Sequence, residues 1–255
     1  MIASARVGQM RFVREGKSEP SRRHLNHRRP RVLIHMIIGF TRGIAVSCWL
    51  GAVALSTTNA SAEALPAATR LASSSEGRIV VLGDSLAVSP SKAESFPAHL
   101  QKRLKKSGVQ WTVTNAGVKG DKTSGGLGRF NAVLPPDTRI LILELGANDG
   151  LRGVDISTIE KNLSTMIERA QARGIKVLLC GMIVPPRYGW NYTVAFHGLF
   201  PRLAAKYNVP LVPFLLDGVA LKADMNTQDG IHPNAAGAER IADTVWPYLQ
   251  PLVHD

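Results

Sequence analysis

Five short apolar runs constrain this chain more than any other feature: RIVVLG (78–83), WTVTNAG (111–117), RILILELG (139–146), KVLLCG (176–181) and VPLVPF (209–214). Each is β-branched or leucine-rich and apolar on both faces when extended. That is the pattern of strands in a parallel sheet covered on both sides. Between the runs the period changes to that of a helix. Ile156, Ile159, Leu163, Met166, Ile167 and Ala170 step by three and four residues along one face. Ser157 with Glu160 predicts a capping box at the start of that helix, and Gly174 a stop. Phe196, Leu199, Phe200, Leu203 and Tyr207 repeat the pattern. Alternation of this kind predicts an α/β protein, a three-layer α/β/α sandwich with right-handed crossovers, without internal repeats and without a second globular domain.

The net charge of +12 is unevenly placed. Residues 1–62 hold ten Lys/Arg against two Asp/Glu, a net of +8, and residues 63–255 hold 21 against 17, a net of +4. A nucleic-acid partner needs a basic face on the folded domain, so no nucleic-acid partner is expected. The basic segment has the design of an export signal instead. Arg42 flanks the apolar run Ile44 to Leu55, polar STTN follows, and Ala60-Ser61-Ala62 forms an A-x-A site. Cleavage after Ala62 is predicted, giving a periplasmic or secreted protein with no stable membrane span. As a helix the run would reach about 18 Å, short of the ~30 Å hydrocarbon core; an uncleaved amino-terminal anchor is the alternative reading. A start at Met36 gives a signal of ordinary length and makes residues 1–35 an upstream extension. Ser21-Arg22-Arg23-His24-Leu25 offers a twin-arginine alternative. Residues 63–77 are small and polar and read as a linker, which leaves 78–253 as the globular domain. Two cysteines make no disulfide framework, and no Cys/His cluster has zinc spacing. Cleavage would leave only Cys180, a buried thiol within KVLLC. No metal or cofactor is expected.

In parallel α/β sheets chemistry gathers at the carboxyl ends of strands. Four segments that are polar or glycine-rich fall there: Gly83-Asp84-Ser85-Leu86, NAGVKGDKTSGG (115–126), GANDG (146–150) and DGIHPN (229–234). Taken singly, each has a structural reading. Gly117, Gly120, Gly125 and Gly126 suit turns with positive φ, and Asn148-Asp149-Gly150 is itself a turn sequence. Asp229 and His232 suit a helix cap, with Pro233 opening the last helix. Taken together they supply a reaction. A serine hydroxyl is a weak nucleophile and needs a base, for which His232 is the natural choice. Asp229, three residues earlier, can accept from the other ring nitrogen and hold the tautomer. The Ser85 and Gly120 N–H groups and the Asn148 amide come from three strand ends and suit a developing oxyanion.

GDSL, the glycine of VKGD, GAND and DGIHP resemble the four sequence blocks of the SGNH/GDSL hydrolase family. ELGANDGLRG (144–153), PPRYGWNY (185–192), VPLVPFLLDGVALK (209–222) and QDGIHPN (228–234) are similar to its bacterial thioesterase I, lysophospholipase and arylesterase type. The resemblance spans residues 78–253. It implies a flavodoxin-like sandwich with a five-stranded parallel sheet, Ser85 as nucleophile, His232 as base and Asp229 as its partner. It also implies an oxyanion hole of Ser85, Gly120 and Asn148, and cofactor-free hydrolysis of small acyl esters, thioesters or lysophospholipids. An exported enzyme would meet esters and lysophospholipids rather than the cytoplasmic acyl-CoA pool. One stretch departs from the pattern. AVSPSKAESFP (87–97) is two residues shorter than usual and lacks the Gly-Tyr that relatives commonly carry beside the site. The apolar and aromatic loop that includes Ile183, Pro185, Tyr188 and Trp190 favours acyl chains over sugars and supplies candidate substrate contacts; packing at the rim is its other reading. Three competing functions are a polysaccharide O-acetyl esterase with the same triad, a non-catalytic SGNH binding module, and a nucleotide-binding module. Against the last, no GxGxxG opens a helix after the first run and no GxxxxGK[ST] is present.

Overall fold

The structure, a computed structural model, describes residues 77–254. Five parallel strands form one sheet: β1 (Arg78–Gly83), β2 (Thr112–Asn115), β3 (Thr138–Glu144), β4 (Lys176–Cys180) and β5 (Leu211–Val212), in the order β2-β1-β3-β4-β5. The helices are α1 (Phe96–Lys106), α2 (Thr123–Val133), α3 (Ala147–Leu151), α4 (Ile156–Ala172), α5 (Trp190–Tyr207) and α6 (Ala235–His254). α1 packs with α6, while α4 packs with α2 and α5, so the sheet is covered on both sides. This is the expected three-layer α/β/α sandwich. Ile79–Leu82 and Ile140–Leu143 are fully buried at its centre, which is why those runs are apolar at every position.

The edge strands are shorter than their apolar runs. β5 keeps only Leu211 and Val212 of the run 209–214. Pro210 and Pro213 bracket it, and proline has no N–H for a ladder. β2 ends at Asn115, whose amide Nδ2 turns away to donate to the Ala87 carbonyl at 2.6 Å. Of the linker expected over 63–77 only Gly77 is described. It already belongs to the domain: it is buried, and its carbonyl accepts from the Thr112 N–H at 2.9 Å. The signal sequence, the Met36 start and the cleavage site after Ala62 lie outside the described residues. Among the described residues, no helix is long and apolar enough to cross a membrane.

Several local expectations change. Gly125 and Gly126, which suit turns by sequence, lie in the first turn of α2. A Cβ at Gly126 would lie 2.2 Å from Leu145 Cδ1, so the missing side chain lets α2 approach the end of β3. Among Gly117, Gly120, Gly125 and Gly126 only Gly120 has positive φ, +73°. Asp155, not a Ser157–Glu160 box, is the N-cap of α4, and no side chain caps it. Gly174, at φ +69°, follows its C-cap as expected. α6 begins at Ala235 rather than at Pro233; Asn234 Oδ1 accepts the Gly237 N–H at 2.9 Å, while Pro233 pairs across to Asn226.

Candidate active site

Ser85 lies two residues beyond the end of β1, in a turn fixed from several sides. Asp84 Oδ1 accepts the Leu86 N–H at 2.9 Å, and the Ser89 hydroxyl donates to the Ser85 carbonyl at 2.7 Å. The carbonyl of Gly83 accepts from the Val118 N–H at 3.1 Å and from Arg129 Nη2 at 2.9 Å. Arg129 reaches from α2, also donates to the Ala116 carbonyl, and pairs with Asp121 at 2.8 Å. One half-buried guanidinium thus ties together the loops that follow β1 and β2.

The loop before α6 brings the base to the nucleophile. His232 Nε2 stands 2.9 Å from Ser85 Oγ, and His232 Nδ1 stands 2.6 Å from Asp229 Oδ2, although the serine and histidine are 147 residues apart in sequence. A tight turn makes this possible: the Thr227 N–H donates to the His232 carbonyl at 2.8 Å, and Gly230 takes φ +68°. The Asp229 carboxylate is held well below the usual carboxylate range, first by the His232 N–H, then by its ring, the Ile231 N–H and the Thr227 hydroxyl. It remains an anion facing the imidazole over the ordinary pH range, the state that favours an imidazolium.

Asn148, expected in a turn, sits in the short helix α3 directly after β3. Its Nδ2 donates one hydrogen to Asp84 Oδ2 at 2.9 Å, which leaves the second for another acceptor. Among the described residues, neither the Ser85 nor the Gly120 N–H is spent on a protein acceptor. Ser85, Gly120, Asn148, Asp229 and His232 all line one cavity of about 420 Å³. Its remaining walls are Ser89, Pro90, Lys119 and Thr227, none of which the sequence reading singled out. Ser89 and Pro90 come from the shortened loop after GDSL. Ile183, Pro185, Tyr188 and Trp190 do not line this cavity. They form an exposed shelf, with the Tyr188 hydroxyl on the Leu151 carbonyl at 3.3 Å and its ring stacked edge-on against Tyr192.

Two further acids support the site from below. Asp84 is buried; its carboxyl is pushed up to about 6 by that burial, against the pull of the Leu86 and Asn148 donors. Glu144, the register partner of Gly83, is fully buried, and its Oε2 accepts the Asp84 N–H at 3.1 Å. Burial, with Asp84 nearby, pushes the Glu144 carboxyl well above its ordinary value. A Cβ at Gly83 would lie 2.2 Å from Glu144 Oε2. The sequence did carry a signal for Glu144: it is the one acid inside the apolar run RILILELG. Among the described residues no group of His, Cys, Asp and Glu is placed to hold a metal ion.

Known proteins resemble the chain over the same domain. The GDSL-like lipase/acylhydrolase family profile matches residues 81–240. The chain is 41% identical over 178 residues to "Esterase TesA" of Pseudomonas aeruginosa, covering 69% of this chain and 89% of that protein. It is 37% identical over 181 residues to "Thioesterase 1/protease 1/lysophospholipase L1" of Escherichia coli K12, covering 69% of this chain and 86% of that protein. Among solved structures, the SGNH-hydrolase family esterase AlinE4 superposes with a TM-score of 0.58 at 39% identity, over 69% of this chain and 96% of that one.

Proposed function

The chain belongs to the GDSL-like lipase/acylhydrolase family and is an ester hydrolase of it, and from that premise we propose an exported serine esterase that cleaves small acyl esters and lysophospholipids through an acyl-enzyme. One observation carries the reading: Ser85 Oγ, His232 and Asp229 are joined by contacts of 2.9 and 2.6 Å at the mouth of a cavity that also holds unspent N–H donors. Ser85 Oγ attacks the ester carbonyl carbon while His232 Nε2 takes its proton. Negative charge moves to the carbonyl oxygen, where the Ser85 and Gly120 N–H groups and the free Asn148 amide hydrogen meet it. Each such donor is worth about 2.7–4 kcal/mol in the transition state. Collapse breaks the ester bond, and His232 gives its proton to the leaving alcohol. A water, deprotonated by His232, then attacks the Ser85 ester and releases the acid. Asp229 stabilises the imidazolium formed in both halves.

The test is fluorophosphonate labelling beside hydrolysis of p-nitrophenyl esters of rising chain length and of a lysophospholipid, on material whose mass reports whether cleavage fell after Ala62. Labelling and turnover are expected in the wild type and neither in Ser85→Ala. Labelling that survives in a folded Ser85→Ala protein would place the nucleophile elsewhere.

A further inference from the structure

Every one of the eight large apolar side chains exposed among the described residues lies after a strand, in the segment leading to the next helix or in the first two turns of that helix. None lies in a connection from helix back to strand, or on an outer helix face farther along. In a sheet whose strands all run parallel, those segments share one edge, the edge that carries Ser85 and His232. Single exposed apolar residues are ordinary, but a set confined to one edge of the sheet marks a surface with a partner.

The charges next to these residues point to the partner's chemistry; the exposed carboxylates of the same segments, Asp155, Asp217, Asp224 and Asp229, are none of them chain neighbours of the apolar set. Four of these residues have an exposed cation as chain neighbour: Val118 has Lys119, Leu151 has Arg152, Tyr188 has Arg187 and Leu221 has Lys222. The pairing recurs after β2, β3, β4 and β5 in turn. None of the four cations is engaged in an ion pair among the described residues. An apolar group beside a long cationic side chain suits a surface that is apolar below and anionic on top, because the aliphatic stem follows the apolar layer while the charge stays in water. Trp190, 70% exposed next to this set, has the amphipathic ring that favours the same boundary.

Resting on the acyl-ester reading above, we propose that the catalytic edge docks on a lipid surface bearing anionic headgroups. Trp190, Val194 and Leu221, the most exposed of the set, enter the acyl layer. Lys119, Arg152, Arg187 and Lys222 meet the phosphates, and the cavity at Ser85 opens directly onto the lipid.

The experiment is flotation of the full chain with vesicles of phosphatidylcholine alone or with about a third phosphatidylglycerol, beside the double variants Arg187→Gln/Lys222→Gln and Val194→Ser/Leu221→Ser. The leader, itself basic, is common to all of them, so the difference between wild type and variants, rather than the wild type's own vesicle preference, reports on the edge. The wild type is expected to partition preferentially to the anionic vesicles and to release as salt is raised. The charge variant should bind about 30-fold more weakly, about fivefold for each cation, and the apolar variant several-fold more weakly. Both should hydrolyse soluble p-nitrophenyl butyrate at the wild-type rate. Equal partitioning to the two vesicle types, or partitioning unchanged in both variants, would overturn the proposal. Loss of butyrate hydrolysis in the wild type would instead strike the esterase reading and leave the docking result standing.

Discussion

Asp84 meets two opposed demands. Its carboxylate must accept from both the Leu86 N–H and the Asn148 amide, yet the site is buried enough to push its pKa to about 6. The native state therefore binds that proton more tightly than the unfolded chain, so Asp84 lowers stability as pH rises from about 4 to about 6. Above that window the cost is on the order of 3 kcal/mol, and below about pH 4 it is absent. Asp84→Asn is accordingly expected to raise the melting temperature over wild type more at pH 8 than at pH 4. It should also lower kcat about tenfold, because an amide offers one acceptor oxygen for two donors; thermal melts at the two pH values, with kinetics at pH 8, check both halves. Asn148 is the group for which that cost is met. Asn148→Gly should fold normally and lose about 10²–10³ in kcat with little change in KM, since an oxyanion donor acts chiefly in the transition state. Near wild-type kcat in the folded variant would leave only Ser85 and Gly120 as donors. Asn148 itself was legible in GAND. Its tether was not, because the bond from Asp84 joins residues 64 apart and no local pattern encodes it.

The elements differ in how they can be read. β1, β3 and β4 are evident from sequence because burial on both faces keeps their central positions apolar: Ile79–Leu82, Ile140–Leu143 and Val177–Leu179. α2 is not: TSGGLGRFNAV has three glycines and a poor helical stripe. It is held by tertiary contacts, with Phe130 buried and with the Thr123 N–H and hydroxyl both donating to Asp149, at 2.8 and 2.7 Å. β5 was overextended because VPLVPF is apolar throughout, although its prolines stop the ladder. Close approach also governs α6. A Cβ at Gly237 would lie 2.0 Å from the Met225 carbonyl oxygen, which is backbone and cannot yield, whereas one at Gly128 in α2 meets nothing within 4 Å. Gly237→Ala is expected to push α6 off the segment that carries Asp229 and His232, costing about 1–3 kcal/mol of stability and lowering kcat. Gly128→Ala should stabilise by about 0.5–1 kcal/mol and leave kcat alone. Denaturant midpoints and steady-state rates on the pair check this; a Gly237→Ala enzyme as stable and as active as wild type would show that the contact relaxes freely.

At the scale of the whole molecule, the three layers and the residues that meet at the cavity were legible, since layer order follows from alternation and the meeting point from the rule of strand ends. Ser89, Lys119 and Thr227 were not, because cavity walls are assembled from loops whose paths depend on the finished sheet. The 147 residues between Ser85 and His232 also set a clock. At about 5–20 residues per second the ribosome finishes the nucleophile roughly 7–30 s before the base. Through that interval the serine has no proton acceptor, and α6, which packs against α1 to close the sandwich, does not yet exist. A nascent, stalled or truncated chain therefore has no proton acceptor with which to attack an ester. Hydrolysis switches on only once the segment carrying His232 is made, so the order of synthesis acts as a safety catch.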